Sequence, residues 1–284
     1  MNFNENIERI KKKNQYNIWY FVKQETDFIK ACEAVSILEE FKNKGLTSGL
    51  KDFIESRISS DYRIISVARM YGLVRKTDLA CIKEQYKYSI LTDVYYEIKD
   101  RCKGDFKNID SYYDIMEQQI EKIYISSILD ENFETDRKDS RIYPIFLLYK
   151  VLIEVGRAYG NYKISYDEFI CFLATAGKYS DYSKVIYTIM VDRDSSIETS
   201  FDTVNKSLLI REDLRYHLAL KNLKHLHIDV DNNIIELDKR YINNVESKVV
   251  EFEKKYFSNK LKFDEINQEA YIENLCRNIS IYDI

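Results

Sequence analysis

The sequence predicts a mainly α-helical chain with small β-hairpins, organised as tandem helix-turn-helix or winged-helix modules, and three observations carry that expectation. The 284 residues include one proline and seven glycines, the two residues that helix interiors exclude. Apolar residues recur at intervals of three and four through the longer segments, the period of a helix with one buried face. Where that period lapses, short β-branched runs flank turn residues, most clearly at Asp231-Asn232-Asn233, which tolerate the positive φ of a tight hairpin.

Taken in order, Ile18-Trp19-Tyr20-Phe21-Val22 reads as a short strand or anchoring edge. Thr26 to Phe41 is helical through Phe28, Ile29, Cys32, Val35, Leu38 and Phe41, and the turn Gly45 to Gly49 ends it. Helices over about Leu50 to Arg57 and Ser60 to Tyr71 flank an Ile58-Ser59 break, and a strand-like Leu73-Val74 follows. Leu79 to Cys102 and about Tyr113 to Leu129 are further helices, with a charged loop from Asp130 to Ser140. Three parts are expected: 1–104, a helical domain with a winged-helix-like unit; 105–140, a connecting helix and loop; and 141–284, a second helix-turn-helix or winged-helix domain.

The stretch from Arg141 to Asp194 is the most informative. Pro144 suits a first helical turn, where its missing N–H has no intrahelical partner, and the helix is expected to stop near Gly156. A β-like Tyr162 to Ile164 leads into Ser165, placed to cap the next helix, with Asp167 and Glu168 favourable in its first turn. Ala176 to Tyr179 forms an interhelical turn, and Ser180 or Asp181 caps a third helix through Met190. After a polar connection from Asp192 to Val204, Leu208 to Leu223 is a helix, His225 to Arg240 a hairpin, Tyr241 to Tyr256 a helix, and Ile266 to Ile279 one more. A helix followed by a hairpin is the pattern of a winged helix.

Hydrophobic residues at 45% and charged residues at 32% describe a globular chain long enough to bury a core. A net charge of −4 counts against a nonspecific coat for nucleic acid, and leaves room for a local basic face. The cysteines, Cys32, Cys81, Cys102, Cys171 and Cys276, are odd in number and contain no C-x-x-C pair, so neither a zinc motif nor a disulfide framework is expected. No apolar run approaches the ~18 residues of a membrane span, and the first residues do not read as a secretory signal. A soluble, cytoplasmic protein with no membrane partner is the expectation.

Candidate contacts to double-stranded DNA fall in three groups. Arg57, Arg63, Arg69, Arg75 and Lys76 face a single acid, Asp61, a local balance of +4 over residues 57–76. Arg63 and Arg69 are six apart, roughly 240° on a helix, so they cannot both point into one groove. Lys178, Tyr179, Ser180, Tyr182, Ser183 and Lys184 lead the helix expected to enter the major groove. Arg211, Arg215 and Lys224 precede the hairpin and would position it on the backbone or offset Glu212 and Asp213. His225, His227 and Asp229 would share one face of a strand, a usable metal geometry that lacks a fourth donor. Asp192, Asp194 and Glu198 read as a divalent-cation loop or as a solvated acidic surface.

Several of these stretches together resemble the DNA-recognition half of type IIS and nicking restriction endonucleases, the AlwI-type family. They are Trp19-Tyr20, the run from Arg57 to Val74 ending MYGLV, YPIFLLYKVLIEVG followed by ISYDEFICFLATA, and RYHLALKNLKHLHID leading into the hairpin. The resemblance covers roughly residues 18–250 and implies sequence-specific duplex binding, with cleavage supplied by a separate nuclease domain or subunit. It implies no cofactor in this chain, and Mg²⁺ for the associated nuclease. Such a centre needs an Asp and a Glu-x-Lys on adjacent strands. Glu253-Lys254-Lys255 fits the triplet literally, in a segment read as helical, so no catalytic residue is assigned. The alternative is a winged-helix regulatory or protein-interaction module with no nuclease role.

Overall fold

Asp27 opens the first helix: its carboxylate accepts from the N–H groups of Ile29 and Lys30 at 2.9 and 3.2 Å, satisfying two of the donors orphaned at a helix start. Helix α1 (Phe28–Asn43) then buries Phe28, Ala31, Cys32, Ala34, Val35, Leu38 and Phe41, a stripe of the spacing a core-facing helix requires. The computed structural model describes residues 26–76, 85–126, 141–174, 176–194, 219–229, 231–263 and 268–284. Over these the chain is mainly helical with small antiparallel sheets. It divides into two compact units: unit one holds 26–123 and 268–284, unit two 124–263.

In unit one, α1 packs against α3 (Ile64–Met70), with α2 (Leu50–Glu55) between them in sequence. The Tyr71 ring lies 4.7 Å from that of Phe28, and its hydroxyl donates to the Thr26 carbonyl at 2.5 Å. Strand β1 (Val74–Arg75) pairs antiparallel with β2 (Ile90–Leu91), and α4 (Asp93–Arg101) and α5 (Tyr113–Glu121) complete this part. The closing segment, α10 (Gln268–Leu275), belongs here too. Gln119 Nε2 donates both to the Tyr71 carbonyl at 2.8 Å and to the Leu275 carbonyl at 2.7 Å. Buried Lys122 donates to Gln119 Oε1 and to the carbonyls of Asn274 and Arg277.

Unit two begins with β3 (Ile125–Ser126) paired to β4 (Arg141–Ile142). Pro144 occupies the first turn of α6 (Pro144–Tyr159), whose buried face runs from Pro144 through Gly156. The order is then β5 (Lys163–Ile164), α7 (Tyr166–Glu168), a wide π-helical turn over Phe169–Leu173, a 3₁₀ turn at Tyr179–Asp181, and α8 (Tyr182–Asp194). Strands β6 (Leu226–Asp229) and β7 (Ile234–Leu237) form the hairpin. β7 is central, pairing with both β5 and β6 in an antiparallel sheet. Helix α9 (Ile242–Phe257) lies on α6, where Phe252 stacks on Phe146 at 3.9 Å between centroids and 6° between planes.

Several elements differ from their expected bounds. The helix expected over 79–102 is confined in the described residues to α4, because Thr92 is extended (φ −103°, ψ 166°). Its hydroxyl donates to the Gly72 carbonyl and accepts from the Tyr95 N–H, so it ties the start of α4 to the turn that precedes β1. The helix expected from Ser60 starts at Ile64, since the Asp61 carboxylate accepts from the Arg63 N–H at 2.8 Å and holds a turn there. α6 continues past Gly156, which lacks the Cβ that would meet the Tyr162 ring at 2.2 Å, and stops at Gly160 in the left-handed region, φ 72°. The helix expected over 113–129 ends at Glu121, before β3. The strand at 18–22 and most of the helix at 208–223 lie outside the described residues.

Candidate nucleic-acid interface

The leading edge of α8 is built from its neighbours upward. Ser165 and Glu168 form a reciprocal capping box: Glu168 N–H donates to Ser165 Oγ at 2.9 Å, and Ser165 N–H to Glu168 Oε2 at 2.7 Å. The same carboxylate receives Nε and Nη2 of Arg193 at 2.6 and 2.8 Å, tying the last turn of α8 to the first turn of α7. The turn between them is anchored twice. Arg141 N–H donates to the Gly177 carbonyl at 2.7 Å, and Lys178 N–H to Asp181 Oδ2 at 3.3 Å.

Tyr179 is the residue whose place departs most from its expected role. It is 0% exposed, its ring packed on Phe252 at 4.9 Å and Tyr256 at 5.2 Å. Its hydroxyl donates to Glu253 Oε1 at 2.8 Å. Burial and that carboxylate push the phenol well above its ordinary range. Tyr179 is therefore a core anchor, inaccessible to DNA, that fixes where α8 begins. Around it Lys178, Ser180, Ser183 and Lys184 are exposed and Tyr182 is half-buried. Lys184 is 83% exposed and sits 3.7 Å from Asp181, a loose pair. Along the same face Tyr187 is 70% and Val191 49% exposed, while Val185 and Ile189 point into the core. α8 carries Lys184 and Arg193 against Asp192 and Asp194, a balance of zero, and Arg193 is committed to Glu168.

The hairpin turn is fastened to α7. Asn233, at φ 59°, donates from Nδ2 to Asp167 Oδ2 at 3.0 Å and accepts at Oδ1 from the Asp167 N–H at 3.1 Å. Asp229 accepts from the N–H and Nδ2 of Asn232 at 2.9 and 2.6 Å, which holds its carboxyl below the usual range. With Asp229 and Asp231 at its tip the turn is acidic.

In unit one the expected basic face is occupied internally. Arg57 lies 3.6 Å over the Phe53 ring and bonds Glu40, and Arg63 makes a two-point pair with Asp61 at 2.9 and 2.6 Å. Arg69 bonds Ser89 Oγ and lies over the Tyr86 ring, while Arg75 pairs with Glu269. Lys76 is exposed, as is Lys224 in unit two. Arg211 and Arg215 lie outside the described residues.

The remaining candidates separate in the same way. His225 is buried and shares a 2.5 Å hydrogen bond with the Tyr149 hydroxyl, whereas His227 is exposed. Among the described residues no three His, Cys, Asp or Glu side chains gather as a metal site. Glu253 of the Glu-x-Lys triplet lies on a helix, held by Tyr179 and by Lys150 at 3.3 Å. No helix among the described residues is long and apolar enough to cross a membrane. The chain matches no family model, and no curated protein matches it.

Sequence reasoning did not find Arg141. Its backbone pairs with Lys178 as an isolated parallel bridge, which brings a second cation beside the leading edge of α8 from a position 37 residues away by number (178 − 141). Nothing in the local sequence signals that pairing.

Proposed function

We propose that unit two is a winged-helix module that binds double-stranded DNA in a sequence-specific way, with α8 as the helix laid in the major groove. The observation that carries this reading is the element order: helix α6, strand β5, helices α7 and α8, then the β6–β7 hairpin, with β5 paired to β7. Among the described residues, the outer side of α8 presents Lys184, Tyr187 and Val191 as exposed side chains. Lys178 and Lys184 would meet phosphates, and Ser180, Ser183 and Tyr187 would reach base edges. Unit one has a similar order of helices followed by two antiparallel strands, but no residue of its α3 is exposed. We assign groove contact to unit two alone. The setting implied by the sequence resemblance, a recognition part of a type II restriction endonuclease cleaving through another domain or subunit, is the context we attach to this activity.

The test is fluorescence anisotropy of the full chain on a library of labelled duplexes at rising salt. A subset of sequences is expected to bind tightly, with affinity falling steeply as salt rises, and Lys184→Ala is expected to weaken all of them. Exposed Tyr187 and Val191 on an electrically neutral α8 favour one second reading, a module that docks protein through the same face. Under that reading duplex binding is absent, and Tyr187→Ala abolishes capture of a protein partner.

A further inference from the structure

Beyond the leading edge of α8, unit two gathers cations that the sequence scatters. Residues 254–262, KKYFSNKLK, hold Lys254, Lys255, Lys260 and Lys262 without an acid, in a chain of net charge −4. They span the end of α9 and the turn after it, where Asn259 at φ 64° reverses the chain and Lys260 N–H donates to the Lys255 carbonyl at 3.1 Å. Lys254 is drawn to Glu251 at 2.5 Å. Lys262 lies against the aromatic corner on which Tyr179 sits, its Nζ 5.2 Å over the Tyr256 ring, and Tyr256 and Phe257 lie 5.2 and 6.4 Å from the Tyr179 ring; Lys255 and Lys260 flank these rings in sequence. Lys178 directly precedes Tyr179 in the chain, and its backbone bridges to that of Arg141. Glu253, the nearest acid on α9, is taken up by Tyr179 and Lys150. Arg141, Lys178, Lys260 and Lys262 are all exposed, and Phe257 stands out at 54%.

We propose that this corner, Arg141 with Lys178, Lys255, Lys260 and Lys262, is a second contact surface for the phosphodiester backbone of the duplex that α8 reads. The proposal rests on the winged-helix reading and adds to it the source of backbone affinity. The argument is charge complementarity. α8 is neutral and the hairpin tip is acidic, so neither provides the array of cations that counterion release requires. The corner provides one immediately beside the first turn of α8, held in place by the buried Tyr179. Contacts of this kind position the protein and carry no base preference.

The experiment compares the full chain with the triple variant Arg141→Ala/Lys260→Ala/Lys262→Ala. A charge-matched control in unit one is Lys51→Ala/Lys103→Ala/Lys107→Ala, all exposed residues. Anisotropy with a labelled mixed-sequence duplex is recorded from roughly 50 to 200 mM salt, and thermal melting checks that both variants fold. The corner variant is expected to bind more weakly across all sequences and to lose about 0.9 of the log–log salt slope per contact removed, up to roughly 3 in total, while the control keeps the parent slope. A corner variant that behaves like the control, while Lys184→Ala weakens binding, overturns the backbone surface and leaves the winged-helix reading standing. A parent chain that binds no duplex overturns both.

Discussion

At the scale of single residues, Tyr179 separates what looks like a binding side chain from what is one. Its hydroxyl meets a carboxylate inside an aromatic cluster, so Tyr179→Phe is expected to cost about 1.5–3 kcal/mol of stability, the range for a hydrogen bond to a charged group, read by urea denaturation. Duplex affinity of the folded variant is expected to stay at the parent value. The neighbouring residues are opposite in character: Lys178, Ser180, Ser183 and Lys184 have room to reach a ligand. Sequence alone could not divide the six, because the 3₁₀ turn at Tyr179–Asp181 puts adjacent residues on opposite sides of the chain. Arg63 is taken by its near neighbour Asp61, whereas Arg57 and Arg75 are taken by acids far off in the chain. Glu40 is 17 positions from Arg57 and Glu269 is 194 from Arg75.

At the scale of elements, the Ser165 cap and the extents of α1 and α9 were legible, and the ends of α3, α5 and α6 were not. Ser165 caps where its sequence position indicates, and Ser165→Ala is expected to lower stability by ~1 kcal/mol. Arg193→Ala is expected to cost more, on the order of 3 kcal/mol, because it leaves the buried Glu168 carboxylate without its cation. Denaturant titration of the two variants would rank them. Gly156 reads as a helix stop in sequence, yet it is the site where Tyr162 packs against α6. Gly156→Ala should destabilise by about 1–3 kcal/mol through overpacking, and a second change, Tyr162→Ala, should relieve part of that loss. The π-helical turn over Phe169–Leu173, where Ala174 N–H reaches back five residues to the Phe169 carbonyl at 2.8 Å, carries no periodicity that a helical pattern would flag.

At the scale of the whole molecule, the segment after residue 266 is what most depends on distant partners. Gly72, at φ +67°, leaves no space for a Cβ, which would fall 2.1 Å from the Leu275 carbonyl oxygen. Gly72→Ala is expected to loosen residues 268–284, seen as faster amide exchange there together with a lower melting temperature. Lys122 gives this closure a pH signature. Burial pushes its ammonium down to about 8, below the ~10.4 of an unfolded lysine. Between those values the unfolded chain holds a proton the folded chain has released, so this group makes stability rise with pH. The buried thiols and phenols, held above their ordinary values, act in the opposite sense. The difference between the parent and Lys122→Met isolates the lysine: it is expected to shift in the parent's favour from about pH 8 to pH 10.

What the sequence determined by itself was local: the helical class from sparse glycine and proline, the α1 stripe, the Ser165 cap, the Asn233 turn and the order of helix, strand and hairpin in unit two. Each is set by interactions within a few residues, where spacing and residue type are sufficient. The tertiary structure alone decided the burial of Tyr179, the partners that Arg57, Arg69 and Arg75 find at Glu40, Ser89 and Glu269, the return of α10 to unit one, and the placing of Arg141 beside Lys178 and of Lys262 over Tyr256. Those outcomes depend on which distant surfaces meet, and a side chain's exposure and charge partners are properties of that meeting rather than of its neighbours along the chain.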